Sequence, residues 1–198
     1  MGNSEIVFAM TADTQDVAFG EMHAFIKALQ AAGLGKLQHA KSEQKGSTEI
    51  FIWAQDSDSP QLEAEIRDDD HLPAMYLVLR GSTDVVAAAS ELAVDHFGLA
   101  PIAEVVRLAQ QEFEDDPSLL LMAALVTDRA HRGEVTDLLA KQVHHRDKSV
   151  RKAVVQAAGI LADEAARKIV VQAVNAETDA KLKQGMERVL ARFPPAST

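Results

Sequence analysis

The chain has 198 residues, of which 47% are hydrophobic and 25% are charged. This composition is typical of a folded globular protein and argues against a disordered chain. There is no cysteine, which excludes disulfides, thiolate metal ligands and cysteine nucleophiles. The first residues lack the charged and apolar regions of a signal peptide, and no apolar run approaches the ~20 residues that span a bilayer, so we expect a cytoplasmic protein without a membrane segment.

The formal net charge of −10 is unevenly distributed along the sequence. Residues 1–130 carry 8 Lys or Arg and 22 Asp or Glu, a net charge of −14, whereas residues 131–198 carry 12 and 8, a net charge of +4. The acidic part is expected to repel nucleic acid and anionic membranes and to attract basic surfaces. The other interpretation is that its carboxylates only keep the protein soluble.

In chain order, the first hundred residues alternate between strand and helix patterns. Apolar or alternating runs predict strands at residues 5–10, 36–43, 49–54, 61–67 and 74–80. A helix should follow Asp13, its expected cap with Asp16 three residues on, and should end at Gly33 and Gly35. Its apolar face is expected to carry Val17, Met22, Phe25, Ile26 and Leu29.

Two of these strands make specific predictions. Residues 61–67 alternate, so that Leu62, Ala64 and Ile66 face a core while Glu63, Glu65 and Arg67 face solvent. Residues 74–80 are apolar enough for a central strand, which Gly81 should end, and Trp53 on a neighbouring strand should be at least half buried. With a helix at residues 82–97, the order β-α-β-β-β-β-α predicts an α+β domain of residues 1–100, an antiparallel sheet with two helices.

From Gly98 and Pro101 onward the pattern is helical only, which predicts an all-α domain of residues 101–198. Helices are predicted near residues 101–114, 118–130, 133–145, 148–161, 163–175 and 178–193. An internal repeat accompanies them. The first helix of one repeat carries Val135, Leu138, Leu139 and Val143, and 31 residues later the chain carries Ala166, Ile169, Val170 and Val174.

Residues 147–161, DKSVRKAVVQAAGIL, carry an aspartate, then Val-Arg, then alanines and a small residue. This stretch resembles the second helix of the short bacterial HEAT-like repeats of bilin-lyase type. The resemblance implies three stacked helical hairpins whose exposed face holds a partner. It also implies that Asp147 caps a helix and that Arg151 reaches acidic groups of a neighbouring repeat. Residues 177–182 depart from the pattern, because they lack the Val-Arg pair.

Two polar groups have side chains that could bind a metal ion. Asp68, Asp69, Asp70 and His71, with Asp56 and Asp58 nearby, have the side chains of a cation site, but the glycine and glutamate spacing of a calcium loop is absent and a solvated turn is expected. The adjacent His144 and His145 would point about 100° apart on a helix and would not chelate one ion. No nucleophile elbow, phosphate loop or dinucleotide fingerprint occurs, so we expect no catalytic residue, no metal site and no cofactor.

These observations predict a non-enzymatic protein–protein interaction module, for example an adaptor, a regulator or an immunity-type inhibitor that masks a basic partner. The residues expected to bind are the densest charges of each sign: His144, Arg146, Lys148, Arg151 and Lys152 in the helical half, and Asp68, Asp69 and Asp70 in the first half. Membrane, nucleic-acid and small-molecule partners are disfavoured. The alternatives are an enzyme or enzyme subunit of HEAT-repeat lyase type, or a nucleic-acid-binding HEAT-like protein.

Overall fold

The computed structural model describes residues 3–12, 14–56 and 61–194. The chain forms two compact units, residues 1–101, which we call the head, and residues 102–198, which we call the tail. The sequence placed the boundary one residue earlier, after residue 100. Among the described residues, none of the helices has the length and apolar character that crossing a bilayer requires.

The head is a five-stranded antiparallel sheet with two helices, as predicted. Its strand order is β1-β5-β4-β3-β2, which places β5 and β4 in the interior of the sheet. The elements are β1 (Asn3–Ala9), α1 (Gln15–Ala31), β2 (Leu37–Lys45), β3 (Thr48–Gln55), β4 (Leu62–Asp69), β5 (Tyr76–Ser82) and α2 (Thr83–His96). Residues 57–60, which include the Asp58 considered above for a cation site, lie outside the described residues.

One face of this sheet packs on the two helices and forms the core of the head. Trp53 is only 6% exposed, in agreement with the prediction. The buried cluster combines alternate strand residues with one face of each helix: Trp53, Leu62, Ala64, Ile66, Leu77 and Leu79 with Met22, Phe25, Leu29, Val86, Ala89 and Ala93. The alternate strand residues and the buried faces of α1 and α2 therefore form one core between the sheet and the helices.

Helix α1 differs from the prediction at its start. Thr14 is the N-cap, and its hydroxyl accepts a hydrogen bond from the Val17 amide at 3.4 Å. Asp13, the predicted cap, lies outside the described residues. The prediction that Val17 is on the buried face is wrong, because its side chain is 47% exposed. Ala18 takes that place, since a one-residue step turns a side chain by about 100° around the helix.

Gly81 was predicted to end the strand but lies inside β5, paired with Leu62 of β4. Its φ is 157°, and a Cβ there would lie 2.0 Å from the backbone oxygen of Gln61. The glycine therefore allows close approach of two backbones and does not terminate the strand.

The described part of the tail contains six helices and no strand. They are α3 (Ile102–Glu112), α4 (Ser118–Val126), α5 (Arg132–Gln142), α6 (Lys148–Leu161), α7 (Glu164–Ala176) and α8 (Ala180–Leu190). Successive helices pack in pairs, α3 on α4, α5 on α6 and α7 on α8, and α6 also lies against α4, α7 and α8. All six predicted helices are present, most of them shorter than predicted.

The predicted apolar residues of the first repeat helices, α5 and α7, are buried except for Val174, which is half buried, and Ile169 is 3% exposed. Helix α8 is covered less well: Met186 is fully buried, while Leu182, Val189, Leu190 and the following Phe193 are half buried. The reason is that α8 is the last described helix, so it packs on α6 and α7 and has no described helix beyond it. Its partly covered apolar face forms one wall of the candidate site.

Candidate functional site

A partly apolar concavity of about 470 Å³ lies between α6 and α8 of the tail. We call it the α6/α8 groove. Its floor consists of Val155 from α6 and Leu182, Met186 and Val189 from α8. Near their C-terminal ends the two helices touch, because a Cβ at Gly159 would lie 2.9 Å from the Val189 Cγ1. Gly185 lines the groove, and a Cβ there would meet no atom within 4 Å, so its missing side chain leaves the groove open.

Lysines line the edges of this apolar floor. Lys148 and Lys152 are one turn apart on α6, and Lys181 lies on α8. All three are exposed, and within the described residues no carboxylate pairs with them. The groove-lining acid is Asp179, whose Oδ1 accepts hydrogen bonds from the Lys181 and Leu182 amides at 3.0 Å each. Three lysines against this one carboxylate give the groove lining a net positive charge.

Both helices also begin at the groove. Asp147 is the N-cap of α6 and accepts from the Ser149 amide at 2.8 Å, and Asp179 is the N-cap of α8. These two carboxylates compensate the partial positive charge of the helix starts, so the positive charge of the groove comes from the lysines. Asp163 caps α7, so the three caps follow each other at intervals of 16 residues. Of these three caps only Asp147 was predicted, although the regular 16-residue spacing of the aspartates was a signal for the other two.

Arg151, one of the predicted binding residues, is engaged inside the tail. Its Nε and Nη2 donate to the two carboxylate oxygens of Glu177, at 2.8 and 3.2 Å. Its Nη1 donates to the carbonyl oxygens of His145 and Arg146, at 2.9 and 3.0 Å. Arg151 therefore joins the segment before α6 to the end of α7, and it is not free to bind a partner.

Glu177 was not singled out by the sequence. Its side chain is almost fully buried, and its Oε1 also accepts from the Thr178 and Asp179 amides, at 3.0 and 2.9 Å. The hydrogen bond from Arg151 holds the pKa of this carboxyl below its ordinary value, and the two amides act in the same direction. A buried carboxylate with this many donors is a structural anion of the joint between α7 and α8.

A second arginine–carboxylate pair was also missed. Arg132 Nε lies 2.6 Å from Asp163 Oδ2, and the same guanidinium donates to the carbonyl of Leu161. Asp163 Oδ1 meanwhile accepts from the Ala166 amide at 2.8 Å as the cap of α7. Arg132 and Asp163 are 31 residues apart, the same interval as the apolar repeat. The pair thus ties the start of α5 to the start of α7.

The remaining tail residues of the predicted site surround a different, smaller pocket of about 280 Å³. His144, Arg146 and Arg151 contribute to it, together with Glu177. His145 is half buried, with its ring edge-on to Phe113 at 5.8 Å and its Nε2 3.5 Å from a Glu114 oxygen. The five predicted basic residues are therefore divided: Lys148 and Lys152 line the α6/α8 groove, and the other three do not.

The predicted acidic residues of the head do not form one site. Asp69 accepts from the Thr48 hydroxyl at 2.7 Å, the Ser47 hydroxyl at 3.2 Å and the His71 amide at 2.9 Å, so its carboxylate orders the turn after β4. Asp68 accepts from Gln15 at 3.1 Å, and Asp70 is exposed. Within the described residues no three His, Asp or Glu side chains are placed to hold a metal ion.

The prediction that Glu63 and Glu65 share a solvent-facing strand face is wrong for Glu65, which is 4% exposed. One of its oxygens pairs with Arg67 at 2.5 Å and the other with Arg80. Burial and the neighbouring Glu65 carboxylate raise the pKa of Glu63 above its ordinary value. The acids and arginines of this face bind each other, which explains why charges on an interior strand are buried.

In comparisons with known proteins, no family model, no curated protein and no solved structure matches this chain. The chemistry of the groove favours binding: the groove has an apolar floor, unpaired cations and one hydroxyl, and that hydroxyl, of Ser149, donates to Asp147 at 2.8 Å.

Proposed function

We propose that the chain is a protein–protein interaction module of the adaptor, regulator or inhibitor type, and that the α6/α8 groove is its recognition surface. The tail is proposed to be a stack of three HEAT-like hairpins. Three features support this: the pairwise packing of α3–α8, the aspartate caps at intervals of 16 residues, and the Arg132–Asp163 and Arg151–Glu177 pairs that link successive helix pairs.

The observation that carries the proposal is the combination of an apolar floor with lysines that pair with no carboxylate among the described residues. A concavity of about 470 Å³ lined by Val155, Leu182, Met186 and Val189 favours the burial of a few apolar side chains of a partner. Arg151 and Asp69, which the sequence suggested as binding residues, instead make hydrogen bonds within the protein. Of the predicted binding residues, the proposed surface therefore includes Lys148 and Lys152 and excludes the acidic turn of the head.

The experiment that tests this function blocks the groove. The full-length protein, its Gly185→Trp variant and its Gly133→Trp variant serve as baits in an extract of the native host. Both glycines are helical and a Cβ at either meets no atom within 4 Å, so both variants should fold, which circular dichroism checks. Gly133 is not among the residues that line the groove. We expect a stoichiometric protein partner that the wild type and Gly133→Trp retain and Gly185→Trp loses.

Two results would overturn the proposal. A partner that binds Gly185→Trp as well as it binds the wild type would place recognition elsewhere on the molecule. Turnover of a substrate by the purified protein alone would favour the enzyme interpretation, in which the tail belongs to a lyase-type enzyme or enzyme subunit.

A further inference from the structure

We infer that the occupant of the α6/α8 groove is an acidic amphipathic segment of the partner protein, with apolar side chains on the floor and carboxylates facing the lysines. This inference rests on the proposed function and adds the chemistry of the partner. It starts from the charge of the groove. The head has a net charge of −10 and the tail a net charge of zero, so a groove edged by three unpaired lysines is a local exception in an acidic protein.

The positions of the lysines set the geometry of recognition. Lys148 and Lys152 follow α6 at a spacing of one turn, and Lys181 extends from α8 on the other wall. A segment lying between the helices would therefore meet cations from both walls while its apolar side chains reach Val155 and Met186. Exposed ammonium groups steer an acidic partner toward the groove and fix its register more than they raise its affinity.

The groove also has a polarity along its length. Its start holds Lys148 and Lys181, with Lys152 one turn further along α6, whereas the other end, near Val189, is apolar. The N-termini of α6 and α8 are already capped by Asp147 and Asp179, so we expect the carboxylates of the segment to lie opposite the three lysines and its apolar residues to lie toward Val189.

Nucleic acid fits the groove less well than an acidic segment. Stacking of unpaired bases uses aromatic side chains, and none of the residues lining the groove is aromatic. A phosphate backbone would satisfy the lysines but would leave the apolar floor uncovered. Nucleic acid is therefore an outcome that the experiment distinguishes.

The test uses the full-length protein and fluorescein-labelled probes in anisotropy titrations at about 50 and about 300 mM salt. The main probe is a synthetic peptide of about four helical turns, with leucines at helical spacing on one face and glutamates elsewhere. Three comparison probes have lysines in place of the glutamates, serines in place of the leucines, or a single-stranded oligothymidylate in place of the peptide. The protein variants are Lys148→Glu with Lys152→Glu, Gly185→Trp and Gly133→Trp.

We expect the leucine–glutamate peptide to bind best and to weaken at high salt. Reversal of the two lysines should weaken it by about tenfold, Gly185→Trp should abolish binding, and Gly133→Trp should leave it unchanged. The inference is overturned if the lysine peptide or the oligothymidylate binds as tightly, if charge reversal has no effect, or if none of the peptides binds.

These failures are separable from failure of the proposed function. If the host partner is lost from Gly185→Trp while the glutamate peptide has no advantage, the groove is a protein-binding site and only its preference for acidic segments is wrong. If the host partner binds Gly185→Trp normally, the proposed function itself is wrong.

Discussion

At the scale of single residues, the guanidinium of Arg151 connects two joints of the tail. It donates to the buried Glu177 carboxylate and to the carbonyls of His145 and Arg146. Removing one partner of such a pair leaves the other charge buried without compensation, which costs more than the pair itself contributes. Besides Arg151, two backbone amides also donate hydrogen bonds to the Glu177 carboxylate.

We predict that Arg151→Ala lowers the free energy of unfolding by roughly 2–4 kcal/mol, measured by urea denaturation. Arg151→Met combined with Glu177→Gln should cost less than Arg151→Ala, since the Gln carbonyl can still accept from the amides. The low pKa of Glu177 sets the sign of the pH effect: the stabilisation is present above the ordinary carboxyl pKa and is lost as the pH falls through the lowered value. Part of the Arg151→Ala penalty should remain in acid, because the bonds to the His145 and Arg146 carbonyls do not titrate, but a penalty that does not shrink at all as the pH falls would contradict this assignment.

The pH effect expected from Glu63 has the opposite sign to that expected from Glu177. Its pKa is raised, so the folded state holds the proton more tightly and ionisation of this carboxyl opposes folding as the pH rises through its ordinary and raised values. We predict that Glu63→Gln raises the free energy of unfolding at pH near 7 by less than about 1 kcal/mol, because the side chain is partly exposed, and that the difference disappears in acid. Glu5→Gln is the control: both acids pair with Arg80, but the Glu5 side chain is the more exposed, so its replacement should not stabilise the protein.

At the scale of elements, helices α6 and α8 use glycine in two different ways. Gly159 allows α6 to approach the Val189 side chain, whereas Gly185 leaves space in the groove wall. The same substitution should therefore have opposite effects at the two positions. Comparing the two variants also distinguishes effects on helix stability from effects on the shape of the groove.

We predict that Gly185→Ala raises the free energy of unfolding by up to about 1 kcal/mol, because alanine is the better helix former and the added methyl meets open space. Gly159→Ala should lower it by about 1–3 kcal/mol, since its Cβ would lie 2.9 Å from Val189 Cγ1. Thermal and urea denaturation measure both changes. A stabilising Gly159→Ala would mean that α6 and α8 are less closely packed than described.

At the scale of the whole molecule, each of the two units has its own buried residues. The head buries the inner face of its sheet against α1 and α2, and the tail buries faces of α4, α5, α6 and α7. The net charge of −10 belongs to residues 1–101, whereas residues 102–198 are balanced.

We predict that residues 1–101 and residues 102–198 each fold when expressed separately, because a unit of about 100 residues with its own core lies within the usual size of a domain. Circular dichroism should give a mixed spectrum for the first piece and a helical one for the second, with cooperative thermal unfolding of both. An unfolded piece would mean that its core depends on the rest of the chain.

The kinds of element and their order could be predicted from the pattern of residues alone. Alternation and helical spacing are local properties of the backbone, so βαββββα followed by six helices could be predicted, as could the burial of Trp53 and Ile169. Of the proposed site, the sequence identified Lys148 and Lys152, because a dense run of charge is also local.

Which charges are free depends on packing between distant elements. The repeat resemblance implied that Arg151 reaches an acidic group, but the structure identifies that group as Glu177, 26 residues away. Glu65 meets Arg80 across 15 residues, on a strand face that alternation alone assigned to solvent. The groove likewise needs Val155 and Met186 from two helices and the gap at Gly185. Such pairings depend on packing between elements far apart in the chain, and local periodicity carries no information about which partners packing brings together.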